Sequence, residues 1–176
     1  MCRLASLALV LATIALPSLA PAMSTRVAPL AELARRADLC LVGRAVARET
    51  FWREGRIFTR VTVQAEEVWK GAAVPGQTVE VLTLGGVVGG LAQRVDGAVA
   101  IEVDERVALL LAREPAGAFV PLGLWQGVFR VAGEGPAAAV ARPTPPVRLV
   151  GVVPEALPSS VSALRSAVLE AARAPR

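Results

Sequence analysis

The residues of this chain best suited to holding a ligand fall in one stretch: Gly85-Gly86-Val87-Val88-Gly89-Gly90, followed by Gln93, Arg94 and Asp96. Glycines let a backbone approach a bound group closely. A phosphate loop would also need a Gly-Lys-Ser/Thr ending and a helix whose amino end points at the anion. Neither follows here, so the stretch reads as a flexible loop between strands. Long glycine-rich loops at the mouth of a barrel commonly carry binding. The candidate ligand-binding residues are therefore Gly86, Gly89, Gly90, Gln93, Arg94 and Asp96, with Trp125 on a neighbouring groove that Trp52 and Trp69 could also line, unless the tryptophans serve core packing.

Carboxylates are the other source of chemistry. Glu66 and Glu67 are adjacent on a strand, so regular geometry sends them to opposite faces, and only a bulge would make them converge. Glu102 and Asp104 share a face, with Asp96 and Glu105 nearby. Calcium is the cation such oxygens would take, but EF-hand spacing is missing and solvated turn charges account for the group more simply. No metal and no cofactor are expected.

Much catalysis is removed by subtraction. The chain contains no histidine and no tyrosine, so it has neither an imidazole base nor an imidazole metal ligand. No serine lies between Asp38 and Gly133. Cys40 sits in an apolar run and reads as a small core residue rather than a nucleophile. The expectation is a non-enzymatic chain.

The first residues set the expected compartment. Met1 and Arg3 precede an apolar run, Leu4–Leu16, which matches a signal-peptide core and is shorter than the roughly 20 residues that span a bilayer. Cleavage after Ala20 would leave Pro21 first, so cleavage after Ala22 is favoured and residues 1–22 are read as a signal peptide. The alternative is a retained anchor. The mature protein would start at Met23, be secreted or periplasmic, and have no membrane contact after cleavage. Cys2 would leave with the leader, so Cys40 would have no disulfide partner.

The sequence pI near 10.4 suggests a nucleic-acid partner, but the distribution of charge does not. Between Asp38 and Gly133 there are ten basic and eleven acidic residues, a net of −1. A phosphate-tracking groove needs clustered positive charge, so no nucleic acid is expected. The partner would be an unknown protein or small molecule.

The elements that must position these residues follow from periodicity. Leu30, Leu33 and Ala34 predict a short helix over Leu30–Arg36. β-like runs follow at Leu39–Ala47, Arg56–Trp69, Gln77–Leu84, a weak Ala98–Val103, Val107–Leu111, and the pair Phe119–Leu124 and Gln126–Val131. In the long run, Ile57, Thr59, Val61, Val63 and Ala65 share a face, and the parity change at Val68 predicts a bulge at Glu66-Glu67. Short strands between polar turns predict an all-β barrel or sandwich. Residues 134–158 read as a Pro/Ala-rich connector. Residues 159–176 carry a final helix from Ser160 to Arg173, capped by Ser159 or Ser160, with a stripe of Val161, Leu164, Val168 and Ala172. That stripe packs on the barrel or binds a partner.

A resemblance sharpens this picture. Val42-Gly43-Arg44, Val68-Trp69-Lys70-Gly71, the paired glycines with Gln93-x-Val95-x-Gly97, Glu105-x-Val107 and Trp125-Gln126-Gly127-x-Phe129-Arg130-Val131 together resemble a group of uncharacterised exported bacterial proteins with an OB-like barrel. More distantly they are similar to the netrin-like modules of tissue inhibitors of metalloproteinases. The resemblance spans Ala37 to Val131 and implies a mainly β fold. That fold is a small five- to six-stranded OB-like barrel over residues 23–133, with a short amino-terminal helix and a carboxy-terminal helix. Those inhibitors act through an amino-terminal cysteine held by disulfides, which this chain lacks, so their mechanism does not transfer. The expected function is a secreted or periplasmic binding module. The alternatives are a regulator or inhibitor of an exported protease, or a calcium-binding carboxylate site.

Overall fold

The computed structural model describes residues 27–143 and 156–174. The expected signal peptide, its cleavage site and the middle of the connector lie outside these residues. The fold is mainly β, with one helix at each end of the described chain.

Helix α1 (Leu30–Arg36) forms where the sequence places it and buries Leu30, Leu33 and Ala34. Its free carbonyls at the C-terminal end are met by the chain's single lysine: Lys70 Nζ donates to the carbonyls of Ala34 and Arg35 at 3.0 and 2.9 Å, where a cation also suits the helix dipole. Strands β1 (Leu39–Arg53) and β2 (Arg56–Lys70) form a long hairpin. Glu54 and Gly55 both adopt positive φ at its two-residue turn, the geometry that matches the strand twist. β1 runs six residues beyond the Ala47 expected from sequence. Arg48, Glu49 and Thr50 show no apolar alternation because this part of the strand is held by its ladder to β2, not by burial.

The expected bulge is present. Val42 pairs with Glu67 and Gly43 with Ala65, leaving Glu66 as the extra residue. Two further register shifts, at Val46 and at Trp69, bend the hairpin again. Gly43 permits this close crossing, since a Cβ there would collide with the Gln64 carbonyl oxygen.

The remaining strands are β3 (Thr78–Leu84), β4 (Gly86–Val88), β5 (Leu91–Gln93), β6 (Arg106–Arg113), β7 (Phe119–Pro121), β8 (Val128–Ala132) and β9 (Ala139–Ala141). Seven of them form one sheet in the order β1-β2-β3-β7-β6-β8-β9, and β1 also pairs with β6. The pairings therefore return to their starting strand through β1, β2, β3, β7, β6 and β1. All but one step are antiparallel; β3 meets β7 in parallel, through Val81 and Phe119.

This arrangement makes two apolar clusters. Leu41, Val61, Val63, Val81, Leu109 and Val128 fill the inside of the ring. Cys40, Val42, Ala108, Leu110 and Phe129 face outward under α1 and α2 (Val161–Arg173). β1 and β6 are thus covered on both faces, which is why their sequences lose the in-out alternation. Ser160 caps α2, its hydroxyl accepting the Ala163 N–H at 3.2 Å. The helix stripe is Val161, Leu164, Val168 and Ala171, not Ala172, and it packs against the same protein.

Four expectations are corrected. The strands number seven in one sheet plus two in another, rather than five or six, because a further strand is added at the edge of the sheet and the glycine-rich stretch supplies two more. That added strand, β9, lies within the stretch read as connector and pairs with β8. Ala98–Val103 is not a strand. Its alternation arises because Ile101 is fully buried and Val99 partly so, both plugging the interior of the ring from a loop. The glycine-rich stretch is not an irregular loop but a hairpin, β4–β5, which forms the second sheet.

Candidate functional site

The β4–β5 hairpin is built by its glycines. Gly89 and Gly90, with φ of 57° and 81°, make the two-residue turn, a conformation other residues enter at a cost. Gly86 serves close packing. A Cβ there would lie 2.7 Å from Thr50 and 2.8 Å from Thr59, so only glycine lets the hairpin settle on the inner face of the β1–β2 arm. A backbone bond from the Gly85 N–H to the Ile57 carbonyl at 2.8 Å and three side-chain hydrogen bonds hold it there. Thr59 Oγ1 donates to the Gly85 carbonyl at 2.7 Å, Thr50 Oγ1 donates to the Val87 carbonyl at 2.7 Å, and the Ile57 N–H donates to Gln93 Oε1 at 2.7 Å.

Between the hairpin, the end of β3 and the loop 94–100 lies a cavity of about 430 Å³, within the range of small-molecule sites. Gly86, Gln93, Arg94 and Asp96 all line it, together with Arg48, Thr59, Thr83 and Gly97. Arg94 and Asp96 are exposed, and neither side chain forms an ion pair or hydrogen bond among the described residues. Arg48, by contrast, is bound to the Glu102 carboxylate. Among the described residues the cavity therefore presents one free cation and one free anion, beside the engaged side chains of Arg48 and Gln93, on a rim otherwise made of backbone, hydroxyl and aliphatic groups.

The other candidates fall elsewhere. Gly89 and Gly90 stand at the hairpin tip with nothing near them. Gln93 lines the cavity, but its amide oxygen is already used to hold β2. Trp125 is buried, with its backbone N–H bonded to the Gly97 carbonyl at 3.1 Å. Its ring edge backs Gly97, so it supports the cavity wall from behind instead of lining it. Its indole Nε1 is buried without a hydrogen-bond partner. Trp69 is also buried and donates to Glu67 at 3.1 Å, whereas Trp52 is about half exposed on the arm beside the hairpin.

The carboxylates do not converge into a centre. Glu66 binds Arg106 at 2.6 Å while Glu67 binds Trp69, so the bulge separates them. Glu105 pairs with Arg130 at 2.7 Å. No group of three or more His, Cys, Asp or Glu that could hold a metal ion occurs among the described residues. Cys40 is fully buried, and burial pushes its thiol up to about 12, only partly opposed by the nearby Lys70 ammonium.

Sequence reasoning missed Arg48, Thr59 and Thr83. Thr59 and Thr83 carried a signal: each is a hydroxyl on an otherwise apolar inward face of its strand. Arg48 carried none, since the strand was not expected to reach it.

A second groove, of about 700 Å³, opens on the outer face of the arm. There Arg53 stacks on Phe58 at 4.3 Å, Arg60 on Phe51 at 4.9 Å and Arg113 on Phe119 at 4.5 Å. Arg60 also pairs with Glu49 and Glu80, and Arg53 with Glu114. These cations are largely spent on their own sheet.

No family model matches the chain, and no curated protein or solved structure does.

Proposed function

We propose that this protein is an exported, non-catalytic binding module built on an OB-like barrel, and that it takes its ligand in the cavity under the β4–β5 hairpin. The cyclic pairing of β1, β2, β3, β7 and β6, with β3 and β7 parallel, supports the barrel reading. The leader-like segment Leu4–Leu16 supports export. The observation that carries the functional reading is the cavity of about 430 Å³ rimmed by Arg94 and Asp96, whose charges are engaged by nothing else in the described protein. Free opposite charges beside a recess are positioned to orient a polar ligand. A catalytic reading lacks a comparable basis, because the one thiol among the described residues is buried in the core and the chain has no imidazole.

The test uses the chain from residue 23 onward, produced by export and screened by thermal shift against amino acids, short peptides, sugar acids and phosphates. Ligands that stabilise the protein should lose their effect in Arg94→Ala or Asp96→Ala, with the unliganded melting temperature unchanged. Stabilisation indifferent to both substitutions, or substrate turnover that survives repeated purification, overturns the reading. Recovery of the protein from cells with residues 1–22 still attached overturns the export part.

A further inference from the structure

We propose that the cavity receives an extended peptide segment of another protein, which adds to the outer edge of β5 as a further strand. The proposal rests on reading the cavity as the ligand site and names the ligand's chemical class.

The register of the hairpin carries the argument. In a hairpin closed by a two-residue turn with both φ positive, the flanking residues, Val88 and Leu91, exchange hydrogen bonds, and alternate pairs do so thereafter. Val87 and Ala92 are therefore the non-bonded pair, with their peptide groups pointing outward from the two strands. The contact from Thr50 shows this directly for β4, since the Val87 carbonyl accepts the Thr50 hydroxyl. On β5 the equivalent groups belong to Ala92, and Ala92 lines the cavity.

Arg94, two residues on, also lines the cavity, and its peptide N–H and C=O form no hydrogen bond among the described residues. Ala92 and Arg94 thus offer two donors and two acceptors at alternate positions, about 7 Å apart along the chain. That is the spacing at which an extended main chain pairs with a sheet edge. No charged residue lies between Val81 and Gln93, so β5 itself carries none of the charges that usually guard an edge strand, and the first charge on this edge is Arg94, just after it. The opposite wall, from Thr83 and Leu84 to the loop 96–100, leaves a recess rather than an open face. A recess admits one slim chain more readily than the edge of a second folded copy.

The probe is tetra-alanine with blocked termini, which carries main-chain groups and little else, titrated into the protein from residue 23 onward and followed by amide NMR. The expected result is a saturable millimolar shift centred on the Ala92 and Arg94 amides. Methylating the two central peptide nitrogens should weaken binding roughly fivefold, since only one of two successive N–H groups faces the edge and its hydrogen bond is worth about 1 kcal/mol. Ala92→Pro should do the same with an unchanged melting temperature, since the nitrogen it blocks is outside the β4–β5 ladder. Equal binding by the methylated peptide, or an absence of shifts at Ala92 and Arg94, overturns the inference. So does conversion of a dimer to a monomer by Ala92→Pro, which would make a second copy the occupant. If amino acids or sugar acids shift Arg94 and Asp96 while tetra-alanine does not, the cavity remains the ligand site and the peptide inference alone falls.

Discussion

The hydroxyl of Thr50 donates to the carbonyl of Val87 at 2.7 Å, joining the middle of the β1–β2 arm to a hairpin 37 residues further on. With the bonds from Thr59 to Gly85 and from Ile57 to Gln93, it holds the hairpin whose geometry defines the cavity. Thr50→Val keeps the shape and removes the donor. It should lower stability by about 1 kcal/mol and raise the rate of proteolysis at Gly89–Gly90. Limited proteolysis beside a melting curve measures both; an unchanged cleavage rate would show that the contact does not anchor the hairpin.

Gly86 and Gly90 separate packing from conformation. Both have positive φ, but a Cβ at Gly86 meets Thr50 and Thr59 below 3 Å, whereas one at Gly90 meets nothing within 4 Å. Gly90→Ala should cost about 1 kcal/mol, the backbone term alone. Gly86→Ala should cost more, by about 1–3 kcal/mol of overpacking. Comparable losses on denaturant titration would mean that the hairpin is not seated as described.

Cys40 should resist modification in the folded protein. Its thiol is shifted up to about 12 by burial, against 9.0 for a free group, so almost no thiolate exists at pH 8 and a thiol reagent should react only as fast as the protein unfolds. The shift also fixes a pH trend. The folded state keeps its proton through the window in which the unfolded state loses one, so stability declines as pH rises from about 9 toward 12, by up to about 1.4 kcal/mol per unit. Cys40→Ala should flatten this slope. A slope identical in the variant would assign the alkaline loss to other groups.

Ser160 caps α2 through the Ala163 N–H. Ser160→Ala should cost about 1 kcal/mol, and Ser160→Asp should keep most of the stability. Because Leu164 and Val168 of this helix are fully buried in the cluster that includes α1 and Phe129, the loss should appear in the single global transition. A separate early transition for the helix would contradict its docking.

Periodicity recovered the elements whose burial is simple. Helix α1 and strand β2 follow their expected bounds closely, and the bulge at Glu66 was announced by the parity change before Val68. Elsewhere the same signal has a different cause. Val99 and Ile101 alternate like a strand because they plug the ring from a loop, and Arg48 to Arg53 lack alternation although they are strand. The glycines of the hairpin suggested irregular chain, yet two of them form a tight turn and Gly86 a close contact. The site was half legible for the same reason. Gly86, Gln93, Arg94 and Asp96 are local in sequence and meet at the cavity, whereas Trp125 arrives through the fold and ends up behind Gly97. The contribution of Arg48 depends on a strand length that only the ladder to β2 reveals.

The most direct measurement is an amide NMR map of the chain from residue 23 onward with each ligand that raises its melting temperature. The account predicts that the perturbed amides gather in the segment from Gly85 to Ala98. Perturbations gathered instead around Arg53, Arg60 and Arg113 on the outer groove would contradict it.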